Sequence, residues 1–229
     1  MVVGVLGTRG GVGASTFAAL LAGRLARRTA TALVDLGSGG GLDVLLGLED
    51  RPGPRWPDLT GAGELPGEQV LDVLPRWGAC AVLSSDRRRP AAPDPAAVED
   101  LVAALGPAAG SLVLDLDRTD VLAGRAPVAL CDLLVLVVGR DLGSVGGALA
   151  LRPALGPALA RTGLAVRGPA PGGLSVAEVA QAVDLPVLCR SPYERGLAAS
   201  AERGALGMRG RTARAAAQVA ATVLGGRAA

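Results

Sequence analysis

The chain predicts a doubly wound α/β fold, with a mostly parallel sheet and helices on both faces. Two features lead to that expectation. Apolar runs recur along the 229 residues, at 2–6, 32–36, 80–83, 112–116, 133–138, 164–166 and 187–189. They are continuous rather than alternating, as strands of a parallel sheet covered on both faces must be. Helical patterns separate them, most clearly at 15–28, 96–105, 145–160, 176–183 and 212–224. Strands that alternate with helices wind a sheet from both sides, and the runs predict about seven strands.

A third feature fixes where the chemistry belongs. The first strand runs into Gly7-Thr8-Arg9-Gly10-Gly11-Val12-Gly13, and Ser15 and Thr16 open an Ala/Leu-rich helix. Strand, glycine-rich loop and helix in that order are the context of a phosphate-binding loop. Glycines let backbone wrap an anion without Cβ clashes, and the free N–H groups of the helix start point at it. The usual pattern ends Gly-Lys-Ser/Thr, whereas this loop ends Gly13-Ala14-Ser15. The lysine that reaches the β- and γ-phosphates is absent.

Composition narrows the alternatives. Half the residues are hydrophobic and 19% are charged, which excludes disorder. A formal charge of +2 is too small for a nucleic-acid surface. Phe17, Trp56, Trp77 and Tyr193 leave little for base stacking. All 23 basic residues are arginine, and the chain has no Lys, Ile, Asn or His. Cys80, Cys131 and Cys189 lie far apart in or beside apolar runs, as reduced core residues do. With no signal peptide and no unbroken run of 18 apolar residues, a cytoplasmic protein is expected. No stretch reads as an inter-domain linker, so residues 1–229 are expected to form one domain. Loop-like stretches are 37–41, 49–67 and 87–90.

Two carboxylates join the loop. Leu33-Val34-Asp35 ends the second strand and Leu112-Val113-Leu114-Asp115 the fourth. The Ser15 hydroxyl with Asp35 and Asp115 is the hard oxygen set that Mg²⁺ takes on a nucleotide. Strand ends of this kind fall at the carboxyl edge of the sheet, where such folds bind ligands.

With these residues the chain resembles the MinD/ParA group of P-loop ATPases, whose loop reads Lys-Gly-Gly-x-Gly-Lys-Thr. Arg9 stands at the early lysine, Ala14 at the second lysine and Ser15 at the Mg²⁺ hydroxyl. Gly11-Val12-Gly13-Ala14-Ser15-Thr16, the stretch from Val34 to Glu49, and Arg55-Trp56-Pro57-Asp58-Leu59 resemble the CpaE/TadZ branch. In particular they are similar to actinobacterial CpaE-like septum-site-determining proteins found beside Tad-type secretion genes. The resemblance runs through Ala229, with Glu202-Arg203-Gly204 before the last helix. It implies an ATP site with Mg²⁺, built from Arg9, Gly10, Gly11, Val12, Gly13, Ala14, Ser15 and Thr16, with Ser15, Asp35 and Asp115 on the metal. It implies a homodimer in which the early basic residue reaches the partner's nucleotide, so that Arg9 is either that contact or a surface charge. It implies Tad/Flp secretion or division proteins as partners and recruitment to a pole or septum. Many relatives carry an N-terminal receiver-like domain, and this chain starts at the first strand of the ATPase.

Departures from the group's pattern bear on activity. Gly37 stands where the group has a second acidic residue that orients water. With Ala14, this predicts slow hydrolysis or none, because phosphoryl transfer depends on positioning and electrostatics. Two alternatives stand beside a nucleotide-responsive regulator: an active ATPase with a site rearranged around Arg9 and Asp117, and a scaffold that binds no nucleotide. Asp35 and Asp117 are the candidate catalytic carboxylates. Arg167 follows the strand after which the group places an adenine-binding Asn. Asp43 reads as a helix-start residue rather than a ligand. Trp56 is either a partner anchor or a lid packed on the core, and Arg87–Arg89 reads as solvated surface. The last helix, apolar mainly through alanine, is expected to pack on the sheet rather than insert into a membrane.

Overall fold

The computed structural model describes residues 1–37, 41–59, 66–90 and 93–226. Among the described residues, eight strands form one sheet: β1 (Val2–Gly7), β2 (Thr31–Asp35), β3 (Arg76–Trp77), β4 (Cys80–Leu83), β5 (Ser111–Leu116), β6 (Leu133–Gly139), β7 (Thr162–Arg167) and β8 (Val187–Ser191). Their spatial order is β3-β4-β2-β5-β1-β6-β7-β8, parallel throughout except for β3 against β4. All seven apolar runs are strands. The eighth strand, β3, is only Arg76–Trp77, folded back on β4 through a turn at Gly78. Two residues show no period, so β3 has no signal in the sequence.

Among the described residues, ten α-helices pack around the sheet or link its strands: α1 (Ala14–Leu25), α2 (Leu42–Leu46), α3 (Trp56–Leu59), α4 (Gly67–Val73), α5 (Pro95–Ala108), α6 (Arg118–Leu122), α7 (Leu142–Leu155), α8 (Val176–Val183), α9 (Leu197–Ala201) and α10 (Arg211–Gly225). The helix expected over 145–160 begins earlier and ends earlier. Asp141 caps it by accepting from the Ser144 N–H at 2.8 Å, and after Leu155 the chain tightens into a 3-10 turn, Gly156–Arg161. The expected loop 49–67 contains α3 and the first residue of α4, with 60–65 outside the described residues. Ser38, Gly39 and Gly40 of the expected loop 37–41, and the end of the chain from 227, also lie outside them.

Side chains alternate across each strand, so the sheet carries two cores. On one face Val3, Val5, Leu33, Val113 and Val135 meet Phe17, Leu20 and Leu21 of α1 and Ala216 and Val219 of α10. On the other, Val34, Leu112, Leu114 and Leu136 meet α5, α7 and α8 through Leu105, Leu151 and Val183. The apolar face of α10 is thus spent on α1 and β8, and Arg24 ties the pair by donating to the Met208 and Ala213 carbonyls at 2.7 and 3.2 Å. No described helix is long and apolar enough to cross a membrane. The three cysteines are buried and free, and burial pushes each thiol up to about 12.

Two motifs far apart in sequence meet backbone to backbone. Gly47 ends α2 and Gly204 follows α9, both at positive φ (66° and 60°). A Cβ on Gly47 would lie 2.7 Å from the Gly204 carbonyl oxygen. Only glycine satisfies both the conformation and the approach.

Candidate functional site

The loop after β1 sits where the sheet order splits, with β5 on one side of β1 and β6 on the other. That is the switch point at which doubly wound sheets open a crevice. Gly13 precedes α1 with φ 91°, and its carbonyl accepts from the Phe17 N–H at 3.0 Å, the first turn of the helix. No side chain caps this helix start and no acidic residue lies in its first turn. The leading N–H groups and the positive end of the helix dipole are therefore available to an anion.

Three guanidinium groups hold the loop through its carbonyls. Arg118 Nε donates to Thr8 O at 3.0 Å, Arg9 Nη1 to Gly10 O at 3.3 Å, and Arg167 Nη1 to Val12 O at 2.7 Å. Arg9 turns to its own chain: Nε donates to Ser144 Oγ at 2.9 Å and Nη2 lies 3.3 Å from Asp141 Oδ2. The contacts of Arg118 and Arg167 span 110 and 155 residues, and local sequence carries no signal for them.

Asp35 and Asp115 are paired in register at the ends of neighbouring parallel strands, so their side chains leave the same face side by side. Both are buried, at 5% and 7% exposure, and among the described residues neither forms an ion pair. Asp35 Oδ1 accepts from the Gly37 N–H at 2.9 Å, and Oδ2 accepts from the Ser85 hydroxyl at 2.9 Å. Burial raises its pKa against these bonds. The Asp115 carboxyl is pushed up to about 8, first by burial and then by the Asp35 charge, while the Ser15 hydroxyl bonded to it pulls the other way. Ser15, Asp35 and Asp115 line one cavity of about 320 Å³, together with Gly37, Leu42, Leu45 and Asp117. Asp117 is also the N-cap of α6, its Oδ1 accepting from the Thr119 and Asp120 N–H groups at 2.7 and 3.1 Å.

The segment after α2 is bolted to this site. Trp56 is 4% exposed and its indole N–H donates to the Asp35 carbonyl at 2.5 Å. It packs in the core beside Val34 and Leu36, as a lid does, and is too buried to anchor a partner. Asp43, in the first turn of α2, is buried against Arg55 at 3.8 Å, and Arg55 also donates to the Leu48 and Gly53 carbonyls. Arg87 and Arg89 hold the outside of the same segment through exposed pairs with Asp50 and Asp58.

The ParA family ATPase of Chlorobium tepidum superposes on the chain with a TM-score of 0.80, at 17% identity, covering 96% of this chain and 98% of that one. The fold is that of the MinD/ParA-family P-loop ATPases. MinD of Aquifex aeolicus, in its complex with MinC, has the same architecture (TM-score 0.78, 21% identity, 98% of this chain and 96% of that one). So has the septum site-determining protein MinD of Pyrococcus horikoshii, solved with Mg-ADP (TM-score 0.78, 17% identity, 100% and 98%). In sequence, an uncharacterized protein of Mycobacterium tuberculosis, found in two strains, is 40% identical over 213 residues. The match takes in 92% of this chain but 60% of that protein, so the chain spans about three fifths of the length of these relatives. No protein-family model matches the chain. Within the MinD/ParA fold, the loop after β1 and the ends of β2 and β5 converge on the cavity described above.

Proposed function

We propose that this protein is a nucleotide-responsive spatial regulator of the CpaE/TadZ kind. It binds ATP with Mg²⁺, dimerises around the nucleotide, and positions a Tad/Flp pilus or secretion machine or influences septum placement, with little or no hydrolysis. The observation that carries this reading is the meeting of an uncapped loop and helix start with Ser15, Asp35 and Asp115 in one cavity. The solved MinD with Mg-ADP supports the ligand class.

The residues fit Mg²⁺. Two buried carboxylates side by side, with no cationic partner among the described residues, need an added positive charge, and the Ser15 hydroxyl supplies a third hard oxygen. Bound there, Mg²⁺ would neutralise phosphate charge. Ser15 and Asp115 would hold it, and Asp35, braced by Ser85 and Gly37, would hold its water shell. The loop backbone from Arg9 to Thr16 would cradle the phosphates.

Slow turnover follows from two positions. Ala14 is a degenerate end to the loop, with no charge to clamp the transferring phosphoryl group. At Gly37 only a backbone N–H is present, and it is turned to Asp35. A second reading, an active ATPase with a rearranged site, draws on Asp117, which lines the same cavity. Calorimetric titration with ATP and ADP, with and without Mg²⁺, and a phosphate-release assay test the three. Binding without appreciable release is expected. Robust Mg²⁺-dependent release, lost in Asp35→Ala, would replace the regulator with the ATPase. Absence of any binding would leave a scaffold.

A further inference from the structure

We propose that Arg167 supplies, from the far end of the chain, the phosphate-facing positive charge that Ala14 does not. The inference rests on the nucleotide reading above and adds a residue to that site.

Arg167 ends β7, two strands from β1 on the side away from β5 and β2. It therefore approaches the loop from the flank opposite Asp35 and Asp115. Its Nη1 donates to the Val12 carbonyl at 2.7 Å, which brings the guanidinium directly over Gly13. A Cβ on Gly13 would overlap Nη1 outright and would lie 2.7 Å from Cζ. The missing Cβ is what opens such a loop to an anion, so the guanidinium stands at the point of approach. The next residue is Ala14, whose methyl group leaves the reach of a long cationic side chain unfilled.

The group is also free to act. A guanidinium has five N–H donors, and among the described residues only one is bonded, to Val12. Arg167 is partly buried, and burial works against its charge. The carboxylate whose charge supports it, Glu194, is already used at the start of α10, accepting from the Thr212 N–H at 3.0 Å. A positive group held partly buried, beside the positive end of α1 and with most of its donors unused, calls for an anion. Planar paired donors suit a phosphate. A polyphosphate lying along the loop would meet the carboxylate-held cation on one flank and Arg167 on the other.

The test titrates the full chain with Mg-ATP, Mg-ADP and inorganic tripolyphosphate, in the parent, Arg167→Ala, Arg167→Lys and Arg190→Ala. Arg190 is an exposed arginine on β8, paired across from Val166, and controls for net charge. Arg167→Ala should weaken all three ligands by about 10- to 100-fold, the scale of a hydrogen bond to a charged group. Arg167→Lys should recover part of the loss, and Arg190→Ala should bind as the parent does. An equal loss for tripolyphosphate marks a phosphate contact, because that ligand has neither base nor sugar. If the parent binds ATP and Arg167→Ala binds it equally or more tightly, the guanidinium is a plug over the loop and the proposal is overturned while the nucleotide reading stands. If neither protein binds any of the three while both melt cooperatively, the nucleotide reading fails and this one with it.

Discussion

Asp115 ends β5 with its carboxyl buried beside Asp35, and the fold bears a cost for keeping it there. An unfolded Asp releases its proton near its ordinary value of about 3.9, whereas the native carboxyl holds its proton up to about 8. Between those values the native state binds the extra proton, so stability falls as pH rises through this window and the deficit is complete above it. Asp115→Asn keeps an acceptor for the Ser15 hydroxyl and removes the titration. In metal-free buffer its stability against urea should gain on the parent steadily from pH 5 to pH 8. Parallel profiles for the two proteins would show that the site solvates the carboxylate better than its burial implies. The same substitution should abolish the Mg²⁺-dependent part of ATP affinity and spare the rest, which separates the structural cost from the ligand's use of the residue. Gly13 makes the complementary case. At φ 91° and under Arg167, Gly13→Val should block phosphate approach and eliminate ATP binding in the same titration.

At the scale of elements, the strap from α2 to α3 is where stability and site geometry join. Asp43 and Arg55 are nearly fully buried, with side chains 4% and 9% exposed. Removing one partner of such a pair strands the other charge, at a cost of about 3–5 kcal/mol. Arg55→Ala should lose that much in chemical denaturation, and Arg55→Met with Asp43→Leu should recover most of it. Equal losses in the single and double variants would mean that Arg55 acts through the carbonyls of Leu48 and Gly53 alone. Because Trp56 donates to the Asp35 carbonyl, its fluorescence should shift when Mg-ATP binds and stay unchanged in Asp115→Ala with Mg²⁺. Gly204→Ala should cost more than about 1 kcal/mol, since it puts a Cβ at positive φ against Gly47. How much of this could be read beforehand follows from length and period. Each run of apolar residues long enough to show continuity was a strand, and Asp35 and Asp115 stood out as charges at the ends of two of them. Their pairing in register could not be read, because strand order is a property of the whole sheet. The short helices α2, α3, α6 and α9 have four or five residues each, too few for a helical period to declare itself. Arg167 and Arg118 were visible as residues and opaque as contacts, since nothing local says that a side chain will reach back across more than a hundred positions.

For the whole molecule, the question is what a second copy would do at the open edge of the loop. Arg9 is the loop's only basic residue, so in the proposed dimer it must carry any contact with the partner's nucleotide. In the single chain it is committed to α7, 3.3 Å from Asp141 and 2.9 Å from Ser144. That commitment is weak. The Arg9 side chain is 49% exposed and that of Asp141 25%, and pairs so open to water are worth about 0–1 kcal/mol. A charge-assisted bond to a phosphate sheltered between two subunits is roughly twice as strong as a neutral one. The exchange from Asp141 to a partner's phosphate is therefore downhill once ATP is bound and unprovoked without it, which is how a nucleotide would control assembly. Sedimentation of the parent, Arg9→Ala, Arg9→Lys and Asp141→Ala, with and without Mg-ATP, reads this directly. The parent should shift toward dimer with ATP, Arg9→Ala should not, and Arg9→Lys should fall between. Asp141→Ala should dimerise with ATP at least as well as the parent, because it removes the competing partner, although it also removes the cap of α7. If Asp141→Ala instead behaves like Arg9→Ala, the pair is needed to shape the start of α7 rather than to hold Arg9 in reserve. If no variant changes the balance in any condition, Arg9 is plain surface charge and assembly is not under nucleotide control.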